Sequence, residues 1–147
     1  MKNKRIKYFV LFYIGFVTYI TIEVCFRGYS FPLCGIMGAI DFILIDKINN
    51  KISWHLDLLI QGIIGSIIVT LSELIVGLFD RYYLHLNMWD YSTLPFNFMG
   101  IICIQFSIAW IFISIIAILL ADSINYYVFK EEPIPHYHVL KWKFSFK

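Results

Sequence analysis

Four long apolar stretches constrain what this chain can fold into. They cover residues 8–26, 31–48, 56–79 and 98–121. Each approaches the roughly 20 residues that a helix needs to cross about 30 Å of hydrocarbon. A helix satisfies its own backbone hydrogen bonds, whereas an open sheet edge in lipid leaves backbone groups unpaired. We therefore predict an all-α polytopic membrane protein with four transmembrane helices.

The composition supports a membrane protein and argues against other classes. Apolar residues make up 60% of the 147 residues and charged residues 15%, against about 45–50% and about 25% in a soluble domain. A chain of this length cannot hide so much apolar surface in a soluble core. It has room for a single transmembrane domain, residues 1–147. A net charge of +2 gives no indication of nucleic-acid binding.

Basic residues next to the apolar stretches predict the orientation. One side has only Arg27 and Arg81. The other side carries Lys2, Lys4, Arg5, Lys7, Lys47, Lys51, Lys130, Lys141, Lys143 and Lys147. Lys and Arg collect on the cytoplasmic side of membrane proteins. We therefore expect a multi-pass protein of the cell membrane with both termini in the cytoplasm, an outer loop at 80–97 and a cytoplasmic tail at 126–147 that lies on the inner leaflet or is loosely ordered.

The two predicted helical hairpins look like weak copies of each other. Glu23 and Glu73 each lie about 15 residues into an outward-running helix, or about 22 Å along it. A serine and then a proline follow each glutamate: Ser30 and Pro32 in one hairpin, Ser92 and Pro95 in the other. Two copies in the same orientation imply a pseudo-twofold axis along the membrane normal.

Glu23 and Arg27 are four residues apart, so on a helix they share a face and can pair. An unpaired charge inside a bilayer costs about 2.5–3.5 kcal/mol even on the lenient insertion scale. The pair is therefore either a structural device at one helix end or part of a site that lines a cavity. Intramembrane ionisable groups usually face a bundle interior or water. This favours a ligand- or ion-binding site, to which we also assign Ser30.

Glu73 has no basic residue one turn further along its helix, because Gly77 occupies that place. The nearest cation on the same face is Arg81, two turns away. Glu73 is therefore either protonated or meets a partner from another helix, such as Arg27. A protonatable carboxylate that faces a cavity is what proton coupling or cation binding requires.

Residues 88–97 combine hydrogen-bond donors, acceptors and aromatic rings in the predicted outer loop. The candidates for ligand or ion binding are Trp89, Asp90, Tyr91, Ser92 and Asn97. In a structural interpretation, Asp90 or Ser92 caps a short helix and the rings belong to an interfacial belt. In a functional one, the segment is a re-entrant lid over the carboxylates, with rings that bind a cation.

Further candidates lie within the helices. Gln105 lies about 12 Å below Asn97, near the depth of the glutamates, and is either an interhelical clamp or a ligand contact. Asp41 lies too deep to reach the interface and is a second-rank candidate. Two pairs of glycines at helical spacing predict close helix packing: Gly35 with Gly38, and Gly62 with Gly65.

Motifs of soluble enzymes and metal sites are missing from the sequence. It has no HExxH, no GxSxG and no Walker A loop, so ATP hydrolysis by that route is excluded. The three cysteines form no CxxC pair, and the four histidines lack metal-site spacing. We expect no metal and no cofactor, and the sequence gives no reason to expect an enzyme.

Two segments carry a resemblance to a known family. They are Glu23-Val-Cys-Phe-Arg-Gly-Tyr-Ser30 and, after Glu73, Trp89-Asp-Tyr-Ser-Thr-Leu-Pro-Phe-Asn-Phe-Met-Gly100. The chain resembles the CmpB-type family over roughly residues 8–125. These are small bacterial membrane proteins labelled as ABC-transporter permeases, with related small transmembrane proteins in vertebrates. The resemblance implies a role in transport and names no substrate.

The chain departs from the family pattern at three places. Phe31 stands where the family tends to have a histidine, Ala39 follows Gly38 where a second glycine is favoured, and Ile101 stands where a glutamine is favoured. Roles of that histidine and that glutamine are therefore not carried over to this chain.

Three functions follow as hypotheses. The first is a transport or channel component, a homo-oligomer in the lipid bilayer whose carboxylate and Arg27 cluster binds a small cation, a proton or a polar solute. A separate ATPase or another membrane subunit would be its partner. The second is an intramembrane enzyme acting on a lipid or lipid-linked substrate, with a glutamate as general base. The third is a non-catalytic assembly partner.

Overall fold

A computed structural model describes residues 4–51, 55–131 and 133–146 of the chain. The described chain contains four α-helices. They are α1 (Lys4–Arg27), α2 (Pro32–Lys51), α3 (Leu58–Phe79) and α4 (Ile104–Ser123), and π-helical turns at Asp80–Leu84 and Ile124–Val128 extend α3 and α4. Lys2, Lys147 and the side chain of Lys51, which the orientation argument used, lie outside the described residues.

Three of these helices are long and apolar enough to cross a membrane: Lys4–Arg27, Leu58–Leu84 and Ile104–Val128. This confirms the prediction of a mostly helical protein and agrees with the prediction of a membrane protein. The helix α2 is not among the three, because Asp41, Asp46 and Lys47 interrupt its apolar residues.

The helices form two hairpins, in which α1 packs mainly on α2 and α3 mainly on α4. Glycines allow both close approaches. A Cβ atom on Gly15 would lie 2.7 Å from Cβ of Phe42, and one on Gly38 would overlap Tyr19. In the second hairpin, a Cβ atom on Gly65 would lie 2.5 Å from Cβ of Ser114. The predicted small-residue packing is confirmed, and it acts within each hairpin.

The fourth helix begins at Ile104, six residues later than the predicted start at 98. The preceding residues form a tight antiparallel hairpin instead, with β1 (Asn97–Phe98) paired to β2 (Ile102–Cys103). Gly100 has a left-handed φ of +64° in its turn, and its N–H donates to Oδ1 of Asn97 at 2.9 Å. The all-α prediction was therefore wrong in this detail, because local turn chemistry overrides the apolar composition.

The tail contains a second antiparallel hairpin, β3 (His136–Val139) with β4 (Trp142–Ser145). Tyr137 in β3 is fully buried, and its hydroxyl donates to Oδ2 of Asp122 in α4 at 2.7 Å. Burial, and then the Asp122 carboxylate, raise the pKa of Tyr137. At the tip, the N–H of Leu140 donates to Oδ2 of Asp57 at 2.5 Å. The tail is therefore anchored to both α3 and α4.

We expect Gly38→Ala to lower the free energy of unfolding by about 1–3 kcal/mol, as other overpacked cores do. The added methyl group overlaps Tyr19 where α1 and α2 approach each other. Ile40→Ala is the matched control, because Ile40 is 49% exposed on the same helix, and it should stay within about 0.5 kcal/mol of the wild type. Unfolding in mixed micelles, followed by circular dichroism, measures both. Equal losses in the two variants would contradict the packing.

Candidate functional site

Two cavities lie along a groove between α1 and α4. We call the one that Trp89 and Tyr91 line the outer cavity, and the other, whose wall includes part of α2, the inner cavity. The outer cavity has a volume of about 250 Å³ and the inner cavity about 170 Å³. Both are lined by Tyr19, Ile22, Trp110 and Ile113. The rings of Tyr19 and Trp110 stack between the two helices, with centroids 5.8 Å apart. The two cavities therefore meet at an aromatic pair.

The outer cavity brings together four of the predicted site residues: Glu23, Arg27, Trp89 and Tyr91. Its remaining walls are apolar and aromatic. Phe26 of α1 and Phe106 of α4 meet edge to face across it, with centroids 5.6 Å apart. The cavity thus places one acid and one base among aromatic rings.

Glu23 and Arg27 form the expected pair, with Nη2 of Arg27 2.8 Å from Oε1 of Glu23. The hydroxyl of Ser30 donates to the other carboxylate oxygen, Oε2. Arg27 also donates from Nη1 to the carbonyl oxygen of Met88 and from Nε to that of Tyr29. The pair is only partly buried, because the Glu23 and Arg27 side chains are 15% and 17% exposed. Arg27 therefore joins α1 to the outer loop, and the pair faces the cavity.

Asp80 holds the outer loop from the other side, and the sequence analysis did not single it out. Its two carboxylate oxygens accept the backbone N–H groups of Leu86 and Met88, each at 2.8 Å. Asp80 is 5% exposed and Met88 is fully buried. An acid at the end of an apolar helix, just before a loop, was the signal available in the sequence.

Glu73 is buried behind the aromatic rings of the outer cavity. It is not one of the described residues that line either cavity. The hydroxyl of Tyr91 donates to its Oε1 at 3.4 Å, and Trp110 also lies near the carboxyl group. Its Oε2 has no hydrogen-bond partner within the described chain. Tyr91, rather than Arg27, is the partner that the structure gives to Glu73. Burial, followed by the nearby Glu73, raises the pKa of Tyr91.

The remaining predicted residues organise the outer loop. Oδ1 of Asp90 accepts the N–H of Ser92 at 2.8 Å, and Oδ2 accepts its hydroxyl at 2.9 Å. The hydrogen bond from the Ser92 N–H, and to a smaller extent the one from the Ser92 hydroxyl, lower the pKa of Asp90. Nδ2 of Asn97 donates to the carbonyl oxygen of Leu94 at 2.7 Å. Gln105 donates to the carbonyl oxygen of Pro95 at 3.0 Å. None of these four side chains lines the outer cavity.

The inner cavity contains Asp41, the second-rank candidate, in an otherwise mainly apolar wall. Oδ1 of Asp41 accepts the hydroxyl of Ser72 at 2.6 Å, which links α2 to α3. Ser114 of α4 also lines this cavity and is 1% exposed.

A third polar group lies toward the N-terminal end of α1, and the sequence analysis missed most of it. Asp46 accepts from Asn125 and Asp122 accepts from Asn49, both at 2.6 Å. Nζ of Lys7 lies 3.7 Å from Oδ2 of Asp46. The available signal was a polar pair spaced by three residues near the end of each helix, Asp46 with Asn49 and Asp122 with Asn125.

Groups of His, Cys, Asp or Glu that could hold a metal ion are not found among residues 4–51, 55–131 and 133–146. Cys25, Cys34 and Cys103 are all free thiols. His55 contacts the rings of His136 and His138 at centroid distances of 6.3 and 5.9 Å. The polar chemistry of the groove is therefore that of carboxylates, hydroxyls and one guanidinium.

Comparison with protein families identifies the family of this chain. The family described as "Putative ABC-transporter type IV" matches residues 8–142. The chain belongs to this family. Searches of curated proteins and of solved structures find no significant match.

Membership of the ABC-transporter type IV family agrees with three helices apolar enough to span a membrane. The region that matches the family contains every residue of the two cavities. Lys7 of the third polar group lies just outside it. The family name relates the protein to ABC transporters and specifies no ligand.

We expect Asp80→Ala to loosen the outer loop, because the N–H groups of Leu86 and Met88 lose their acceptor. Met88 is fully buried, and an unsatisfied buried N–H group costs about 1–3 kcal/mol. Hydrogen exchange should therefore become faster at Leu86 and Met88, as mass spectrometry of the protein in nanodiscs would detect.

Asp90→Ala is the control for this change. Asp90 is exposed, and within the described residues its carboxylate accepts hydrogen bonds only from Ser92 in its own turn, so exchange at Leu86 and Met88 should be unaltered. Unchanged exchange in Asp80→Ala would show that this carboxylate does not hold the loop.

Proposed function

We propose that this protein is the membrane component of a transport system and that its outer cavity binds a small cation or polar solute. The observation that carries the proposal is the pair of cavities in one groove, with a partly exposed ion pair in the outer one. A structural ion pair has no need of an adjoining cavity of about 250 Å³.

The outer cavity has the chemistry that cation binding requires. Glu23 contributes negative charge, and the rings of Trp89, Tyr91 and Phe106 surround it. Aromatic faces attract cations, more strongly when water is excluded. Arg27 compensates the charge of Glu23, and a cation that binds would compete with it for the carboxylate. Ser30 and the Met88 carbonyl oxygen would remain as polar neighbours.

Glu73 would act as a proton store behind this cavity. The Tyr91 hydroxyl lies between the cavity, which Tyr91 lines, and Oε1 of Glu73, to which it donates. A hydroxyl in that position can pass a proton, because it donates and accepts at the same oxygen. The binding of a solute in the outer cavity would then be coupled to the protonation of Glu73.

We further propose that α2 spans the membrane with the other three helices and that both termini are cytoplasmic. The acids of α2 are turned inward, since Asp41 and Asp46 are 3% and 2% exposed. The exposed side chains of α2 include Ile36, Ile40 and Leu44. A helix with an apolar outer face and buried acids can lie in lipid despite its charges.

A homo-oligomer and an ATPase partner complete the proposal. Phe112 and Ile116 of α4 are 60% and 65% exposed, and Ile116 lines the inner cavity. A second copy packed against this face would shield the groove from lipid. The chain has no Walker A loop, so a separate ATPase subunit would supply energy if transport is driven by ATP.

Flux into liposomes tests the proposal. We expect wild-type proteoliposomes to pass at least one of Na⁺, K⁺, H⁺ and methylammonium faster than empty liposomes. Glu23→Gln removes the charge that attracts the cation, and should slow that flux about tenfold or more, as the loss of one charged hydrogen bond would.

Asp90→Asn is the matched control, because it makes the same chemical change on an exposed loop residue outside the cavity. Its flux should equal that of the wild type. The proposal fails if Glu23→Gln and Glu73→Gln together leave the flux unchanged, or if none of the four cations crosses with the wild type.

A further inference from the structure

The hairpin of β3 and β4 lies across the end of the bundle where α3 begins and α4 ends. Tyr137 of β3 enters the bundle, because its hydroxyl donates to Oδ2 of Asp122 in α4 at 2.7 Å. His138 of β3 pairs with β4 on one edge and forms a parallel bridge with Asp57, the residue before α3, on the other. Within the described residues, β4 is therefore the free edge of this small sheet.

The hairpin has one apolar face and one polar face, because successive residues of a strand point to opposite sides. The register pairs Tyr137 with Phe144 and Val139 with Trp142, so these four side chains share a face. The opposite face is polar and consists of His136, His138, Lys143 and Ser145. Since Tyr137 turns the apolar face into the bundle, this face points toward the apolar helices.

The two strands differ in how far the bundle covers this apolar face. In β3, Tyr137 is fully buried and Val139 packs against the core. In β4, Trp142 is 79% exposed and Phe144 is 41% exposed. The rings of β4 therefore point in the same direction as Tyr137 but lie beside the bundle. In that position they meet whatever surrounds the helices.

Apolar side chains are also exposed at the helix ends next to the hairpin. Ile60 lies near the start of α3, and Tyr127 and Val128 lie at the end of the helix that α4 begins. All three belong to the segments that are apolar enough to cross a membrane. The ring of Tyr127 stacks on that of Phe146 in the tail, with centroids 6.0 Å apart. Lipid around the helices would therefore extend to the hairpin.

The hairpin has features that keep it at the level of the lipid headgroups. The free edge of β4 has backbone N–H and C=O groups without a strand partner in the described ranges, and hydrocarbon strongly disfavours such groups. Lys141 and Lys143 flank Trp142 and are exposed. Residues 133–146 contain no Asp or Glu, so their charge complements anionic phosphate groups. Tryptophan favours this interface, because its ring is apolar and carries one polar N–H.

We propose that the hairpin of β3 and β4 binds the surface of the adjacent phospholipid leaflet. Trp142 and Phe144 insert next to the acyl chains just below the headgroups, and Lys141 and Lys143 contact the phosphate groups. The hydrogen bond of Tyr137 with Asp122, together with the bond from the Leu140 N–H to Asp57, holds the hairpin at this depth. The hairpin lines neither cavity, so this surface does not depend on transport.

Spin labelling of the full chain in vesicles of phosphatidylcholine and phosphatidylglycerol tests this surface. A nitroxide is attached to one cysteine at a time, in a background without the three natural cysteines. The variants are Trp142→Cys and Phe144→Cys on the apolar face, and Lys143→Cys and Ser145→Cys as matched controls on the polar face of the same strand. Circular dichroism verifies that each variant keeps its helical content.

The accessibility of each nitroxide is measured with two relaxation reagents. Molecular oxygen concentrates in lipid, whereas nickel ethylenediaminediacetate stays in water. We expect the ratio of oxygen to nickel accessibility to be about fivefold or more higher at positions 142 and 144 than at 143 and 145, because a polar complex is excluded from an apolar medium.

Fluorescence gives a second test that leaves Trp142 in place. The emission that is lost in Trp142→Phe is the contribution of this side chain. We expect brominated phosphatidylcholine to quench this contribution in the wild type. Acrylamide in the aqueous phase should quench it much less than it quenches free tryptophan.

Three results would overturn the proposal. Equally high accessibility to nickel at all four labelled positions would show that the whole hairpin faces water. Low accessibility to both reagents at positions 142 and 144 would show that a second copy or another protein covers the apolar face. Quenching of the Trp142 emission by acrylamide and not by the brominated lipid would place this side chain in solution. None of these results depends on flux through the outer cavity.

Discussion

A carboxylate that is removed from water must find a cation or hydrogen-bond donors, and this requirement organises the whole bundle. Asp80 binds two N–H groups of the outer loop. Asp41 binds Ser72 and so joins the two hairpins. Asp46 and Asp122 connect α2 to the end of α4, and Asp122 also accepts from the buried Tyr137 of the tail. The acids therefore fix tertiary contacts that apolar side chains alone would leave unspecific.

The features that could be predicted from the sequence are those that depend on the spacing of residues along one helix. Glu23 and Arg27 pair because residues four apart share a helix face, and the glycine pairs pack closely because they lack a Cβ. The sequence could not predict which loop residues face the cavity, since that depends on the turn at Gly100 and on the late start of α4. Trp89 and Tyr91 line the cavity, whereas Asp90 and its neighbours bond within the loop. The group around Asp46 and Asp122 was missed because its bonds join residues more than 70 positions apart.

Three polar levels follow one another along the groove side of the bundle. The ion pair of Glu23 and Arg27 lies in the outer cavity, Asp41 lies in the inner cavity, and Lys7 meets Asp46 near the start of α1. The stacked rings of Tyr19 and Trp110 separate the first two levels.

The groove between α1 and α4 must admit water or solute if its cavities bind a ligand, and cysteine accessibility measures this directly. In a background without the three natural cysteines, Ile22→Cys lies in the wall of both cavities. Ile75→Cys is the comparison. Ile75 lies about as far along α3 as Ile22 lies along α1, and it is 68% exposed on the outside of the bundle. A membrane-impermeant methanethiosulfonate reagent should label Ile22→Cys at least about tenfold faster than Ile75→Cys, since only hydrated thiols ionise and react. Equal and slow labelling at both positions would contradict the account.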